Sequence, residues 1–347
     1  MNHLPMQLRE VPESLDSDSA RSLLAPSVEQ IRQAQTRDGA IHWTVDATRL
    51  DLWNMLEATM ALASWGDLDA VRGALDWAVQ HQRPDGGWWA EYRLGEVRAA
   101  SAWSVVHHAA YLATAVRHAA ACGLDPEPYQ SAVSRGIEFA LAHQNPDGTV
   151  AWARAADGSV HGSALRTACS SICLSLADAA ALYGHAPDAA EWLSARARIG
   201  EAIRSEADSF DQDWPDKSNH AMDWFYPVLA GLGTPEWGAE RIDARWDEFI
   251  EPNLGCRCVT DEPWVTVAET CELVMALLNL GRPDAARRLF LDVMQLRDVR
   301  GRLWMGCQFD LGVWWPREQP SWSSAAAVLA GDALFGWSPA GAIWTQR

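Results

Sequence analysis

Carboxylates inside otherwise apolar helical stretches are the residues of this chain best suited to chemistry. Glu269 and Glu272 lie three apart in residues 265–280, where apolar residues recur at helical spacing, so both fall on one helix face. A charge there is costly unless paired, so a raised pKa and a role as proton donor are expected. The competing reading is a buried salt bridge to Arg257 or Arg166. Asp261 stands just upstream, in Arg257-Cys258-Val259-Thr260-Asp261-Glu262-Pro263-Trp264. Asp223 opens another apolar stretch beside Trp224, Phe225 and Tyr226. It either caps that helix or faces an aromatic-lined cavity as an acid. Asp223 with Glu269 suits protonation of an alkene or general acid–base work on a glycosidic bond. The catalytic candidates are therefore Asp223, Glu269, Glu272 and Asp261. The substrate-binding candidates are Trp53, Glu57, Trp103, His107, Arg166, Trp224, Tyr226, Arg257, Trp264 and Trp322. His107 and His108 are adjacent and expected to point apart, so that at most one faces a lumen.

Two kinds of helix must position these groups. Six stretches are apolar nearly all round: residues 53–65, 102–120, 167–183, 221–232, 265–280 and 323–335. A helix apolar on every face is buried. Six others are amphipathic and charged: residues 27–36, 69–81, 129–143, 189–207, 240–251 and 283–296. Their alternation predicts an all-α, single-domain (α/α)6 barrel, with six inner and six outer helices over residues 27–347. Residues 1–26 read as a polar N-terminal tail. Gly followed by Pro or Asp after five inner stretches (Gly66, Gly123, Gly184, Gly233, Gly281) predicts short inner-to-outer turns. The longer return connections fall on the opposite face, where a site is usually built.

Those return connections carry a phrase: Gln35…Asp38-Gly39…Trp43, Gln82…Asp85-Gly86-Gly87-Trp88, Gln144…Asp147-Gly148…Trp152 and, more loosely, Gln295…Gly301…Trp304. It accounts for part of the 20 Trp in 347 residues. A phrase that recurs at a fixed interval marks a repeat architecture. Its expected role is structural: Asp-Gly turns the chain after an outer helix, Gln bonds the freed helix end, and Trp packs over it.

The net charge of −18 disfavours nucleic acid and anionic membranes as partners. No apolar run is long enough to span a membrane, and residues 1–18 lack the pattern of a secretory signal. Seven scattered Cys are read as reduced, buried thiols in a cytoplasmic protein. No divalent-metal motif is visible, so a reaction without metal or cofactor on a small-molecule substrate is expected. A homodimer is left open.

The Gln…Gly-x-Trp repeat on an α/α ring resembles the QW motifs of squalene–hopene and other class II terpenoid cyclases, and the related protein-prenyltransferase toroid. That resemblance implies an aromatic-lined central cavity in which cation–π attraction stabilises carbocations. The leading expectation is accordingly general-acid catalysis on an isoprenoid. The Asp-x-Asp-Asp motif of those cyclases is absent; Asp67-Leu68-Asp69-Ala70 is nearest and lies in an inner-to-outer turn. The chain is also similar to six-hairpin carbohydrate enzymes, which place Asp and Glu among Trp at the mouth of the same ring. This implies, as the alternative, a glycoside hydrolase or lyase using the same carboxylates. A non-catalytic α/α scaffold is the third reading.

Overall fold

The computed structural model describes residues 5–93, 103–212 and 216–345. In chain order the helices are α1 (Ser17–Ala34), α2 (Leu52–Trp65), α3 (Leu68–Gln80), α4 (Val106–Ala121), α5 (Gln130–Leu141), α6 (Arg166–Leu182), α7 (Ala189–Arg204), α8 (Ala221–Leu229), α9 (Pro235–Ala244), α10 (Trp246–Phe249), α11 (Val267–Asn279), α12 (Pro283–Val293) and α13 (Ser321–Phe335). The six apolar helices α2, α4, α6, α8, α11 and α13 pack side by side in that order, and α13 returns to α2 to close a ring. Helices α1, α3, α5, α7, α9 and α12 cover it from outside. This is the expected (α/α)6 barrel.

Local chemistry sets the helix ends. Asp16, Asp51, Asp67 and Thr234 accept hydrogen bonds from first-turn backbone N–H groups of α1, α2, α3 and α9, the usual capping geometry. Gly66 ends α2 at φ 93°, a left-handed conformation open to glycine at little cost.

Several boundaries differ from expectation; the outer stretch read as residues 240–251 is helical over Pro235–Ala244 and again over Trp246–Phe249, and Ile250–Glu251 is a strand. Helix α1 starts at Ser17, so part of the segment read as a polar tail is helical and buries Ala20 and Leu24. Its first turns are rich in polar residues, Ser17, Asp18, Ser19, Arg21 and Ser22, and this hid its period in a short window. Pro5 also bridges to Val313, and the Met6 N–H donates to the carbonyl of Gly312. The stretch expected as helix from residue 102 enters α4 only at Val106; Trp103–Val105 is a strand and Ala102 lies outside the described residues.

The Gln-Asp-Gly-Trp phrase is a staple between successive outer helices. Gln82 Nε2 donates to the carbonyls of Gly86 (2.9 Å) and of Ala132 in α5 (2.9 Å). Gln35 does the same to Gly39 and to Ala70 in α3. The third Gln, Gln144, reaches Gly148 and accepts from Arg198 in α7. A Cβ on Gly86 would sit 2.3 Å from the Arg135 carbonyl oxygen, so only glycine lets the turn meet α5. The return connections also form short antiparallel ribbons. Trp103–Val105, Ala151–Ala155 and Val160–Ala164 make one three-stranded sheet; Trp264–Thr266, Gly306–Gln308 and Val313–Trp314 make another. Both stand at the ring end where the inner helices begin.

Candidate active site at the barrel mouth

Because every inner helix begins at the same end, their first turns form one tier of side chains and their second turns another. The first tier carries Asp51, Trp53 and Asn54 (α2), His107 and His108 (α4), Arg166 and Thr167 (α6), Asp223 (α8), Glu269 (α11) and Trp322 (α13). The second carries Glu57 (α2), Tyr111 (α4), Tyr226 (α8) and Glu272 (α11).

Trp53 is the floor of the mouth. Its ring stacks on Tyr111 with centroids 4.5 Å apart and planes 8° from parallel. His107 meets it edge-on at 4.8 Å, His108 lies 6.0 Å away, and Tyr226 is 5.8 Å away. Both histidines therefore approach Trp53, where only one was expected to face the lumen. The strand Trp103–Val105 leads straight into α4, so consecutive first-turn residues straddle the same ring. Burial pushes the pKa of His108 down to about 4 against the pull of the Asp51 charge, and holds His107 well below the usual range. Both are neutral at neutral pH.

Above Trp53 opens a cavity of about 460 Å³, lined by Asp51, Trp53, Asn54, Glu91, Trp103 and His108, among others. Asp51 is half-buried. Its Oδ1 accepts the Asn54 backbone N–H at 2.9 Å, and its other oxygen accepts the Asn54 side-chain amide. Asp51 was absent from the sequence candidates because an Asp before an apolar helix reads as a cap, which it also is.

Beneath Trp53 lies a pair of acids. Tyr111 donates its hydroxyl to Glu57, and burial raises the pKa of Glu57 to about 7. Glu272 is raised well above the usual range by burial first, then by the charges of Glu57 and Glu269. Among the described residues neither of its oxygens has a partner in hydrogen-bond geometry; the Trp322 indole stands near enough to favour the charged form. Tyr111 was also missed; its only signal is its place one turn below His107. In the first tier, burial raises Glu269 too, against hydrogen bonds from Thr266 and Cys258. Its Oε2 has no partner among the described residues.

The salt-bridge alternative for Glu269 and Glu272 is not realised. Arg257 pairs with Glu251 at 2.6 Å, and Arg166 with Asp211 at 3.4 Å. Asp223 is buried and raised to about 6, and its Oδ1 takes the Thr167 N–H at 3.0 Å and the Thr167 hydroxyl, tying α8 to α6. Asp261 is exposed and accepts from Asn219, apart from the buried acids, because its loop pairs with the segment before α8. Trp224 does not line the lumen: it stacks on Phe249 at 4.6 Å and donates to the Arg241 carbonyl, packing outward under α9. Trp264 donates to the Trp315 carbonyl within the second sheet. The loop acid Asp213 and Trp214 lie outside the described residues. Among the described residues no group of three or more His, Cys, Asp or Glu is placed to hold a metal ion, and no helix is long and apolar enough to cross a membrane.

A family model for the squalene-hopene cyclase C-terminal domain matches residues 5–160, which supports the α/α-toroid superfamily at that coarse level. Solved structures with the same fold include a wild-type glycosidase (TM-score 0.73, 15% identity, covering 93% of this chain and 100% of that one). A D-mannose isomerase matches with TM-score 0.74 at 12% identity, over 93% of this chain and 99% of that one. A GH63 mannosylglycerate hydrolase from Thermus thermophilus, solved with glucose, matches with TM-score 0.66 at 14% identity, over 88% and 99%. In sequence, the chain is 38% identical over 322 residues to the MMP endo-(1,4)-3-O-methyl-alpha-D-mannosidase of Mycolicibacterium hassiacum, covering 92% of this chain and 88% of that protein. This likeness overturns the expectation of a terpenoid cyclase acting on an isoprenoid. The repeat that suggested it staples outer helices and says nothing of the lumen, where Trp53, Tyr111 and Tyr226 close together. The scaffold reading falls as well, since the chain is an enzyme: it belongs to the family of the MMP endo-(1,4)-3-O-methyl-alpha-D-mannosidase.

Proposed function

We propose that this enzyme is an endo-acting glycoside hydrolase for (1,4)-linked 3-O-methyl-α-D-mannose chains, cutting at the barrel mouth. The observation that carries the reading is the cavity above Trp53, with a carboxylate at its wall and an aromatic floor. Aromatic faces suit the apolar faces and methyl groups of such a sugar.

Glu269 acts as the general acid. Burial raises its pKa, which favours the proton-bearing form an acid needs, and its Oε2 has no hydrogen-bond partner among the described residues. Asp51 takes a proton from the attacking water as the bond between C1 and the leaving oxygen breaks and the new C1–O bond forms. Their helices, α2 and α11, also carry the interacting pair Glu57 and Glu272 one to two turns below. This supports placing the two first-turn acids across the same opening. Asp223, tied to Thr167, positions α8 against α6.

The test is hydrolysis of a defined (1,4)-linked 3-O-methyl-α-mannose oligosaccharide by the wild type, Glu269→Gln and Asp51→Asn. Each variant is expected to lose roughly 10³-fold or more in kcat while keeping its fold. Wild-type activity surviving in either variant removes that residue from the chemistry; no hydrolysis by the wild type removes the substrate assignment.

A further inference from the structure

A second cavity, of about 210 Å³, opens on the same face of the ring between the connection from α1 to α2 and the connection from α12 to α13. One layer of tryptophan separates it from the acids. Trp43 donates its indole N–H to Glu318 at this cavity (2.7 Å), and its ring lies 6.4 Å from Trp322, the neighbour of Glu272.

Two polar atoms of its lining have no partner among the described residues. Gln30 is 1% exposed and its Oε1 is unbonded, while its Nε2 is held by the Gln319 carbonyl at 2.5 Å. The indole N–H of Trp304 is likewise buried and unbonded, and the Trp304 ring stacks on Trp314 with centroids 5.6 Å apart. A buried donor or acceptor left unpaired is costly, so an acceptor and a donor beside one cavity favour a ligand that supplies both. Hydroxyl groups do. Around them stand two arginines, Arg302 and Arg317, and two acids, Asp46 and Glu318. These charges balance, which favours a neutral ligand over a phosphate or carboxylate. The volume is on the scale of one hexose ring.

We infer that this cavity is a secondary saccharide subsite, holding one pyranose unit of the glycan away from the bond that is cut. The inference rests on the glycan reading above, and it supplies what an endo-acting enzyme needs: a grip on the chain beyond the cleaved linkage.

Two variants test it from opposite directions. Trp304→Phe removes the N–H while keeping an aromatic ring on Trp314, and Thr44→Phe fills the cavity from a surface loop. Each is expected to lower the preference for long over short (1,4)-linked 3-O-methyl-α-mannose oligosaccharides by roughly 5–20-fold in kcat/KM, through KM. An unchanged preference in both overturns the subsite. The second readout needs no hydrolysis: in protein with nitrogen-labelled indoles, the Trp304 resonance, assigned by its absence in Trp304→Phe, is followed during titration with the oligosaccharide. A shift that Thr44→Phe abolishes supports the subsite even if the wild type cleaves nothing, in which case only the activity assignment falls. A resonance that stays still overturns the subsite whatever the activity.

Discussion

The outer turns and the inner mouth of this barrel handle acidic side chains in opposite ways. At the turns, the Nε2 of Gln82 reaches two carbonyls, Asp85 accepts from Arg83 and Arg154, and Gly86 lets α5 close in. The mouth and lumen instead keep Glu57, Glu269 and Glu272 buried with oxygens left unpartnered, and no arginine among the described residues neutralises them. Satisfied polar groups at repeated positions hold a fold together. Unsatisfied acids, in a ring that could have been wholly apolar, tend to be kept for chemistry.

The contrast is most exposed to test by replacing one residue from each region. Glu269→Gln should cost roughly 10³-fold or more in kcat with an unchanged or higher Tm, since an amide cannot ionise where burial disfavours charge; a lowered Tm with intact kcat would reverse its assignment to the mouth. Gly86→Ala should do the reverse. At φ 89° and 2.3 Å from a backbone oxygen, the added methyl should destabilise by about 2–4 kcal/mol, read by urea unfolding, with kcat of the folded protein unaltered. Glu57→Gln should sharpen the picture through pH. Its pKa rises from 4.5 to about 7 on folding, so the folded protein holds a proton that the unfolded chain releases. Its contribution to stability is full below pH 4.5 and declines as pH rises to about 7, by on the order of 3 kcal/mol. The amide variant should lack that decline and unfold at higher urea near pH 8; identical pH profiles would mean that Glu57 does not titrate in this range. Gln82→Ala is the mildest: losing two hydrogen bonds to carbonyls should cost about 1–2 kcal/mol, seen as a lower Tm with kcat preserved.

Much of this molecule is legible without coordinates. The apolar character of residues 53–65 and 265–280 on all faces marks them as inner helices, and the Gln-Asp-Gly-Trp phrase marks the outer turns, because helix burial and turn chemistry depend on neighbours close in the chain. The start of α1 was not legible, since its buried residues only make sense once α13 is known to lie against them. Glu269, Glu272 and Glu57 stood out as charges in apolar surroundings. Asp51 and Tyr111 did not: Asp51 doubles as a helix cap, and Tyr111 has the character of ordinary core. Local residue patterns were enough for the ring and its alternation of layers. Which side chains share the mouth, that Arg257 and Arg166 pair away from its acids, and that Trp53 stacks on Tyr111 beneath the cavity came from the packing of the folded chain. Those outcomes depend on contacts between helices far apart in the chain, which no local pattern of residues encodes.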